Sequence, residues 1–429
     1  MKSSLVKGVF DVFPFAYKGD NPWQSVEYWV YLEKVIRKIC QLNGFFEIRT
    51  PNFEYSKLFN SLGEYSDVVS KEMYTFLDKK GRSLTLRPEG TAPVIRAFVQ
   101  HKLYEKSKNS KLFYILPMFR YERQQNGRYR QHHQFGAEVI GEKNPYKDAE
   151  LILMLHQLYR SLNIEHVYFE LNCLGDLETR ENYVKKLKQF FQSHFSELSS
   201  LSQDRLCHNP LRILDSKEKE DKEIIKEAPS IFPFLKEEAL EYFEKVLKIL
   251  KSNNVICFKN DHLVRGLDYY TDLVFEVNVK KNSQTSLALG GGGRYDGLVS
   301  HLGGPKLSAC GFGTGLERII QCIIQQNKEP QITHPICLRF LPLGVAAQEK
   351  SLMLKQSLVQ ENIPVEVDWS GKGLKFMLSE ASKDNIPFVC ILGDEELKTG
   401  QLTIKNMREH EIIKCSEEEL KKRLVVYEI

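Results

Sequence analysis

Two periods alternate along the chain, and the switches between them outline most of its elements. Between residues 23 and 43 the apolar positions recur with helical spacing, Trp29, Leu32, Ile36, Ile39 and Cys40 on one stripe, and Gly44 is placed to end the helix. Phe46, Ile48 and Thr50 then alternate as in a strand up to Pro51, whose missing N–H confines this stretch to a sheet edge or strand end. SLTLR at 83–87 predicts a strand, and Thr91 with Pro93 predicts an N-cap followed by proline in the first turn of a helix. Strands predicted at 112–123 and 129–140 flank the polar QQNGR, a hairpin signal with Asn126-Gly127 at its tip.

From 176 to 254 the sequence turns charged and helical, with KKLKQFF and SKEKEDKEIIKEAPS, which predicts an insertion. Strands resume at about 255, including LVFEVNV and LALGGGG, and GFGTGLERII passes from a glycine-rich strand into a helix. QQNKEPQITHP, 325–335, has the composition of a linker. Beyond it ICLRFLPL, VEVDW, FVCILG and LTIKNM alternate with helical stretches, as in a separate α/β unit. No internal repeat is visible.

Composition narrows the class. The chain has 429 residues, 42% hydrophobic and 27% charged, which fits a soluble globular protein of two or three domains. It has no apolar run of about 18 residues, and MKSSLVKGVFDVFPF lacks a secretory profile, so the expectation is a cytoplasmic protein without membrane segments. Nine cysteines are scattered without a CxxC pair, which predicts reduced core residues and no zinc. A net charge of +4 is too small to indicate nucleic acid, though it would not repel one.

The candidate chemistry lies in five stretches. In GRYRQHHQFGAEVIG, 127–141, period two puts Arg128, Arg130, His132, Gln134, Gly136 and Glu138 on one face, with Tyr129, Gln131, His133, Phe135, Ala137 and Val139 on the other. The first face is almost wholly polar, so it is either solvated or part of a site for a charged ligand. LRPEGTAPVIRAF sets Arg87 and Glu89 at a helix mouth, where N–H donors beside a carboxylate suit a zwitterion. FRYERQQNGRYR gathers arginines and a glutamate on the hairpin, and the guanidinium fork fits phosphate oxygens. LVRGLDYYT brings Arg265 beside Tyr269 and Tyr270, and the four glycines of ALGGGGRYDGLV allow the close backbone approach of a pocket floor. GFGTGLER fails the dinucleotide spacing, but its Arg318 could meet a nucleotide held against the sheet. Singly, each stretch has an ordinary structural explanation. Together they converge on an amino acid and a nucleoside triphosphate side by side on an antiparallel sheet.

In this order the stretches resemble the class II aminoacyl-tRNA synthetases and, among them, the histidine-specific family. TPNFE resembles motif 1, FRYERQQNGRYRQHHQFGAEVIG motif 2 and GFGTGLERI motif 3; LVRGLDYYT and GGGRYDGLV resemble two stretches peculiar to the histidine enzymes, and LGDEELKTGQLTIKNM the anticodon-binding domain. The resemblance implies an α+β fold: a mainly antiparallel catalytic sheet with flanking helices, a helical insertion and a C-terminal α/β anticodon-binding domain. The corresponding ranges are 1–175 and 255–325 for the catalytic core, 176–254 for the insertion and 331–429 for the last domain.

It further implies a homodimer joined partly through motif 1, with L-histidine, ATP and tRNA(His) as partners, and histidyl-adenylate as intermediate. Magnesium would accompany ATP, with no dedicated protein cage. By position, Glu89, Thr91 and Gln134 would hold the α-amino group, and Glu138 and Tyr270 the imidazole, with Tyr269 and Tyr295 also in the histidine set. Arg265 and Arg120 would carry catalysis at the carboxylate and α-phosphate; Glu122, Arg128, His132 and Arg318 would complete the ATP site. One position departs: His132 stands where the family has a phenylalanine that stacks on adenine, so adenine binding is expected to be weaker or pH-dependent. A non-catalytic regulatory paralogue would lack the C-terminal unit and have eroded motifs; here Glu89, Arg120, Arg265 and Arg318 are all present.

Overall fold

The computed structural model describes residues 4–14, 21–60, 69, 71–107, 109–122, 127–280, 286–328 and 336–424. Two compact units, Met1–Pro330 and Gln331–Ile429, divide the chain.

In the first unit the strands are β1 (Phe46–Glu47), β2 (Phe53–Tyr55), β3 (Tyr74–Leu77), β4 (Ser83–Leu86), β5 (Ser110–Phe119), β6 (Gln131–Gly141), β7 (Val167–Cys173), β8 (Cys257–Lys259), β9 (Thr271–Lys280), β10 (Ser286–Arg294) and β11 (Ser308–Gly315). Eight form one sheet in the order β1-β5-β6-β11-β10-β9-β7-β8, and β2-β4-β3 form a small second sheet. The edge pairs β1/β5 and β7/β8 are parallel and every inner pair is antiparallel.

The helix Val26–Leu42 buries Trp29, Leu32, Ile36, Ile39 and Cys40, the stripe expected from periodicity, and Gly44 turns the chain at φ +74°. It packs in one core with the helices Pro145–Ser161 and Leu316–Gln325 under the sheet. The expected strand through Thr50 is shorter: only Phe46 and Glu47 pair with β5, at the sheet edge where proline is tolerated. The hairpin forms from Ser110↔Ile140 to Phe119↔Gln131, so its first strand stops before 123; residues 123–126, with Asn126 of the expected tip, lie outside the described residues. Most of the expected linker, 329–335, also lies outside them.

The stretch 176–254 is helical, as expected, but its last helix, Glu237–Ser252, buries Phe243, Val246, Leu247 and Leu250 in the same core as Ile152, Leu155 and Phe169. Apolar spacing made the helix legible, but which surface it covers was not. All nine cysteines are free, and all but Cys207 are buried.

The second unit has a sheet of β12 (Leu338–Pro342), β13 (Val365–Val367), β14 (Phe388–Leu392), β15 (Leu402–Asn406) and β16 (Ile412–Cys415) in the order β13-β12-β14-β15-β16. The first four are the expected strands; β16 was not anticipated. No helix among the described residues is long and apolar enough to cross a membrane.

Candidate active site

The middle of the large sheet is paved with glycine. Gly136 of β6 pairs with Gly313 of β11, which pairs with Gly291 of β10; in the next row, Glu138 pairs with Gly311, which faces Gly293. Side chains lie across these glycines where a Cβ would stand. A methyl at Gly313 would overlap the Gln134 amide, at Gly311 the Glu138 carboxylate, at Gly291 the Arg265 guanidinium and at Gly136 the Tyr114 ring. The glycine floor therefore lets polar groups lie flat on the sheet.

Above the floor is a cavity of about 210 Å³. Glu89, Thr91, Arg120, Glu122, Arg128, His132, Gln134, Arg265, Tyr269, Tyr270 and Arg318 line it. Glu138 and Tyr295 do not. Both are buried beside it on the same face of the sheet, where Glu138 accepts hydrogen bonds from the hydroxyls of Thr91 (2.8 Å), Tyr114 (3.4 Å) and Tyr295. Burial pushes the Glu138 carboxyl up to about 8, against the pull of those donors.

The helix Thr91–Gln100 opens at the cavity with Gly90, not Thr91, as its N-cap residue. Thr91 turns its hydroxyl to Glu138 instead, and the cap is supplied by the Glu89 carboxylate, which accepts from the N–H groups of Thr91 (2.7 Å) and Ala92 (2.8 Å). Burial still raises the Glu89 pKa. Arg87 is not at the helix mouth: it is wholly buried, its guanidinium donating to the carbonyls of Pro117, Thr50 and Pro51 and to Asn52 Oδ1.

Cations ring the other side. Arg120 Nε donates to the Pro88 carbonyl (2.7 Å), Arg128 is 3.3 Å from Glu122, and Arg318 bridges the carbonyls of Gly127 (3.1 Å) and Ala288 (2.7 Å). Burial and then Arg128 lower the Arg318 pKa. Arg265 pairs with Glu276 at 2.9 Å. Three buried polar atoms at the cavity, Gln134 Oε1, Glu122 Oε2 and Arg265 Nε, have no hydrogen-bond partner among the described residues, although Glu122 keeps its ion pair with Arg128. A buried acceptor and a buried donor left unmet are costly unless a ligand meets them.

His132 faces the cavity and His133 the opposite side, as the strand period implies; His133 accepts no role there but packs edge-on to Trp29 and is held by Glu317 through its backbone N–H (2.7 Å) and Nδ1 (3.1 Å). Burial, with Arg120 and Arg318 beside it, pushes the His132 imidazole down to about 3, which argues against the pH-dependent half of the expectation for this position. Three residues of the site escaped sequence reasoning. Tyr114 and Glu276 sit on apolar-looking strands without a motif, whereas Glu317 stands next to Arg318 in GLER and could have been taken with it.

A family model described as histidyl-tRNA synthetase matches residues 24–319, most of the first unit. The chain belongs to the histidyl-tRNA synthetase family. A model described as an anticodon binding domain matches residues 338–426. The histidine--tRNA ligases of Chlamydia pneumoniae and Chlamydia felis are 50% and 49% identical, each alignment covering 100% of this chain and 99% of the relative. The apo histidyl-tRNA synthetase of S. aureus is similar in structure, with a TM-score of 0.81 and 32% identity over 98% of this chain and 99% of that one. The α+β synthetase fold expected from the motifs is thus the fold of the family, with its anticodon-binding unit in place.

Proposed function

We infer that the protein ligates L-histidine to tRNA(His) through a histidyl-adenylate, releasing pyrophosphate and then AMP. The observation that carries this reading is a complementary acceptor and donor among the unmet groups of one cavity. Gln134 Oε1 is an acceptor suited to an ammonium, and Arg265 Nε a donor suited to a carboxylate or phosphate, over a floor flat enough to hold the joined molecule. Family membership and near full-length similarity to histidine--tRNA ligases support the substrate assignment.

A carboxylate oxygen of histidine attacks the α-phosphorus of ATP and the bond to pyrophosphate breaks. Negative charge spreads over the α-phosphate, where Arg265 and Arg120 stabilise it, while Arg128 and Arg318 hold the rest of the nucleotide; magnesium arrives as part of the ATP substrate. A ribose hydroxyl at the tRNA 3′ end then attacks the acyl carbon and AMP leaves, with no covalent bond to the enzyme. Glu89, Thr91 and Gln134 take the α-amino group; Glu138, with Tyr269, Tyr270 and Tyr295 around it, takes the imidazole, so an isostere lacking ring nitrogens leaves buried groups unpaired. Glu122 and His132 take the adenine.

The assembly proposed is a cytoplasmic homodimer meeting along the β1–β2 edge, a reading supported by the exposed Phe46, Phe53 and Tyr55 there. Histidine-dependent ATP–pyrophosphate exchange, followed by charging of tRNA(His), tests the function. Absence of exchange in folded, pure protein sinks it.

A further inference from the structure

The loop that carries Arg265 is held from two sides, and the sheet is only one of them. Residues 264–270 belong to no helix or strand. On the sheet side, Asn172 of β7 donates to the carbonyls of Asp261 (3.1 Å) and Leu263 (3.0 Å), and the Arg265 guanidinium pairs with Glu276 of β9. These bonds fix the approach to the loop and the end of one side chain. The path of the backbone past Arg265 is held from elsewhere.

That hold comes from the helical stretch 176–254. Its Arg212, buried in the turn Pro210–Ile213, donates through Nη1 to the backbone carbonyl of Arg265 itself (3.2 Å). Three residues on, Asp268 is a second anchor. Arg180 of the helix Leu177–Ser193 donates to the Asp268 carbonyl (2.8 Å) and stands 3.6 Å from its carboxylate, which also accepts from Asn209 Nδ2 (3.1 Å). Apolar contacts run the same way: Leu206, Leu211 and Ile213 of the stretch share a core with Leu263, Val264 and Tyr270.

Arg180, Asn209, Arg212 and Asp268 do not line the cavity. They touch no substrate there, so what they control is where Arg265 sits. A guanidinium is a rigid, charged donor, and two of them on carbonyls three residues apart leave the peptide between little room to turn. The Arg265 side chain springs from that peptide with its Nε unmet at the cavity. A shift of about 1 Å in such a group is enough to cost on the order of 100-fold in rate.

We propose that Arg212, together with Arg180 and Asn209 acting through Asp268, are positioning residues for histidine activation: the stretch 176–254 sets the backbone of the 264–270 loop and so aims the Arg265 guanidinium. This rests on Arg265 being the group that stabilises charge at the α-phosphate. Arg212→Met lowers the kcat of histidine-dependent pyrophosphate exchange about 30-fold and leaves the ATP KM within about twofold, because the lost alignment matters where charge develops. Arg212→Lys, which keeps one charged donor, recovers most of the loss. Asn209→Ala removes a neutral hydrogen bond and no charge, and lowers kcat about three- to fivefold. It also serves should Arg212→Met fail to fold. Each variant is then combined with Arg265→Gln. Residues that act through Arg265 add less than about twofold to the loss already caused by Arg265→Gln, whereas independent structural damage multiplies. Losses that multiply, or exchange unchanged in both single variants, overturn the proposal. Exchange retained by Arg265→Gln alone would instead overturn the role of Arg265, and its absence from folded wild-type protein the enzyme assignment.

Discussion

Two kinds of arginine stand in the first unit. Arg87 and Arg294 are saturated. Arg87 has carbonyls and an amide oxygen on every side but no carboxylate, and burial pushes its guanidinium down to about 10. Arg294, at the end of β10, lies 2.5 Å from Asp148 and 2.6 Å from Asp296, and Tyr242 donates to Asp148 at 3.0 Å. Arg265 has one carboxylate partner, an idle Nε, and a cavity in front of it. Saturated arginines join segments: Arg87 ties Thr50–Asn52 to the β5 end, and Arg294 ties β10 to the helix Pro145–Ser161. The unsaturated one is held ready for a ligand. Residue type is shared; the count of partners, with Arg265 less buried than the other two, separates the roles.

Arg265→Gln is expected to break the comparison most strongly on the catalytic side. Pyrophosphate exchange falls about 1,000-fold, the size of losing a charge-stabilising donor, while thermal unfolding stays within roughly 2 °C of wild type. Parallel loss of Tm would place Arg265 with the saturated class. Arg294→Met does the reverse. It leaves Asp148 buried without its cation and costs about 3–5 kcal/mol in denaturant unfolding, and adding Asp148→Asn recovers part of that. A loss below about 1 kcal/mol would contradict the structural role.

Glu138→Gln sharpens the contrast through pH. The Glu138 carboxyl is raised from an ordinary value of 4.5 to about 8, so between those values the folded protein keeps a proton that the unfolded chain has released. Wild-type stability therefore falls as pH rises through that window, by up to about 1.4 kcal/mol per pH unit from this group, and the amide removes that slope. Identical pH profiles of Tm for the two proteins would refute this. The smallest effect is expected at His132→Phe: a larger, equally uncharged ring lowers the ATP KM about two- to threefold with no change in its pH dependence. An unchanged or higher KM counts against an adenine platform.

Periodicity made the first helix legible down to its five buried residues, because a single apolar stripe against one core leaves little freedom. It also divided the faces of β6 correctly, since period two is fixed by the pleat: Gln134 reaches the cavity and His133 the Trp29 side. What escaped depends on partners distant in sequence. Nothing near Arg87 announces the Pro117 and Thr50 carbonyls, and nothing near Thr91 announces that Glu138 would claim its hydroxyl in place of a cap. The helix Glu237–Ser252 reads as part of an insertion until the core it completes is assembled.

The sequence by itself determined the family, the order of strands that carry the motifs, and most of the polar residues that line the cavity. Side-chain chemistry and spacing are local properties, so they survive being read in one dimension. The tertiary structure decided which of those groups remain unmet. Glu138 was surrounded by three hydroxyls on the glycine floor, His132 was kept neutral by burial between arginines, and Gln134 and Arg265 were left facing the cavity. Hydrogen-bond saturation and desolvation are sums over neighbours from many segments, and only the folded chain brings those neighbours together.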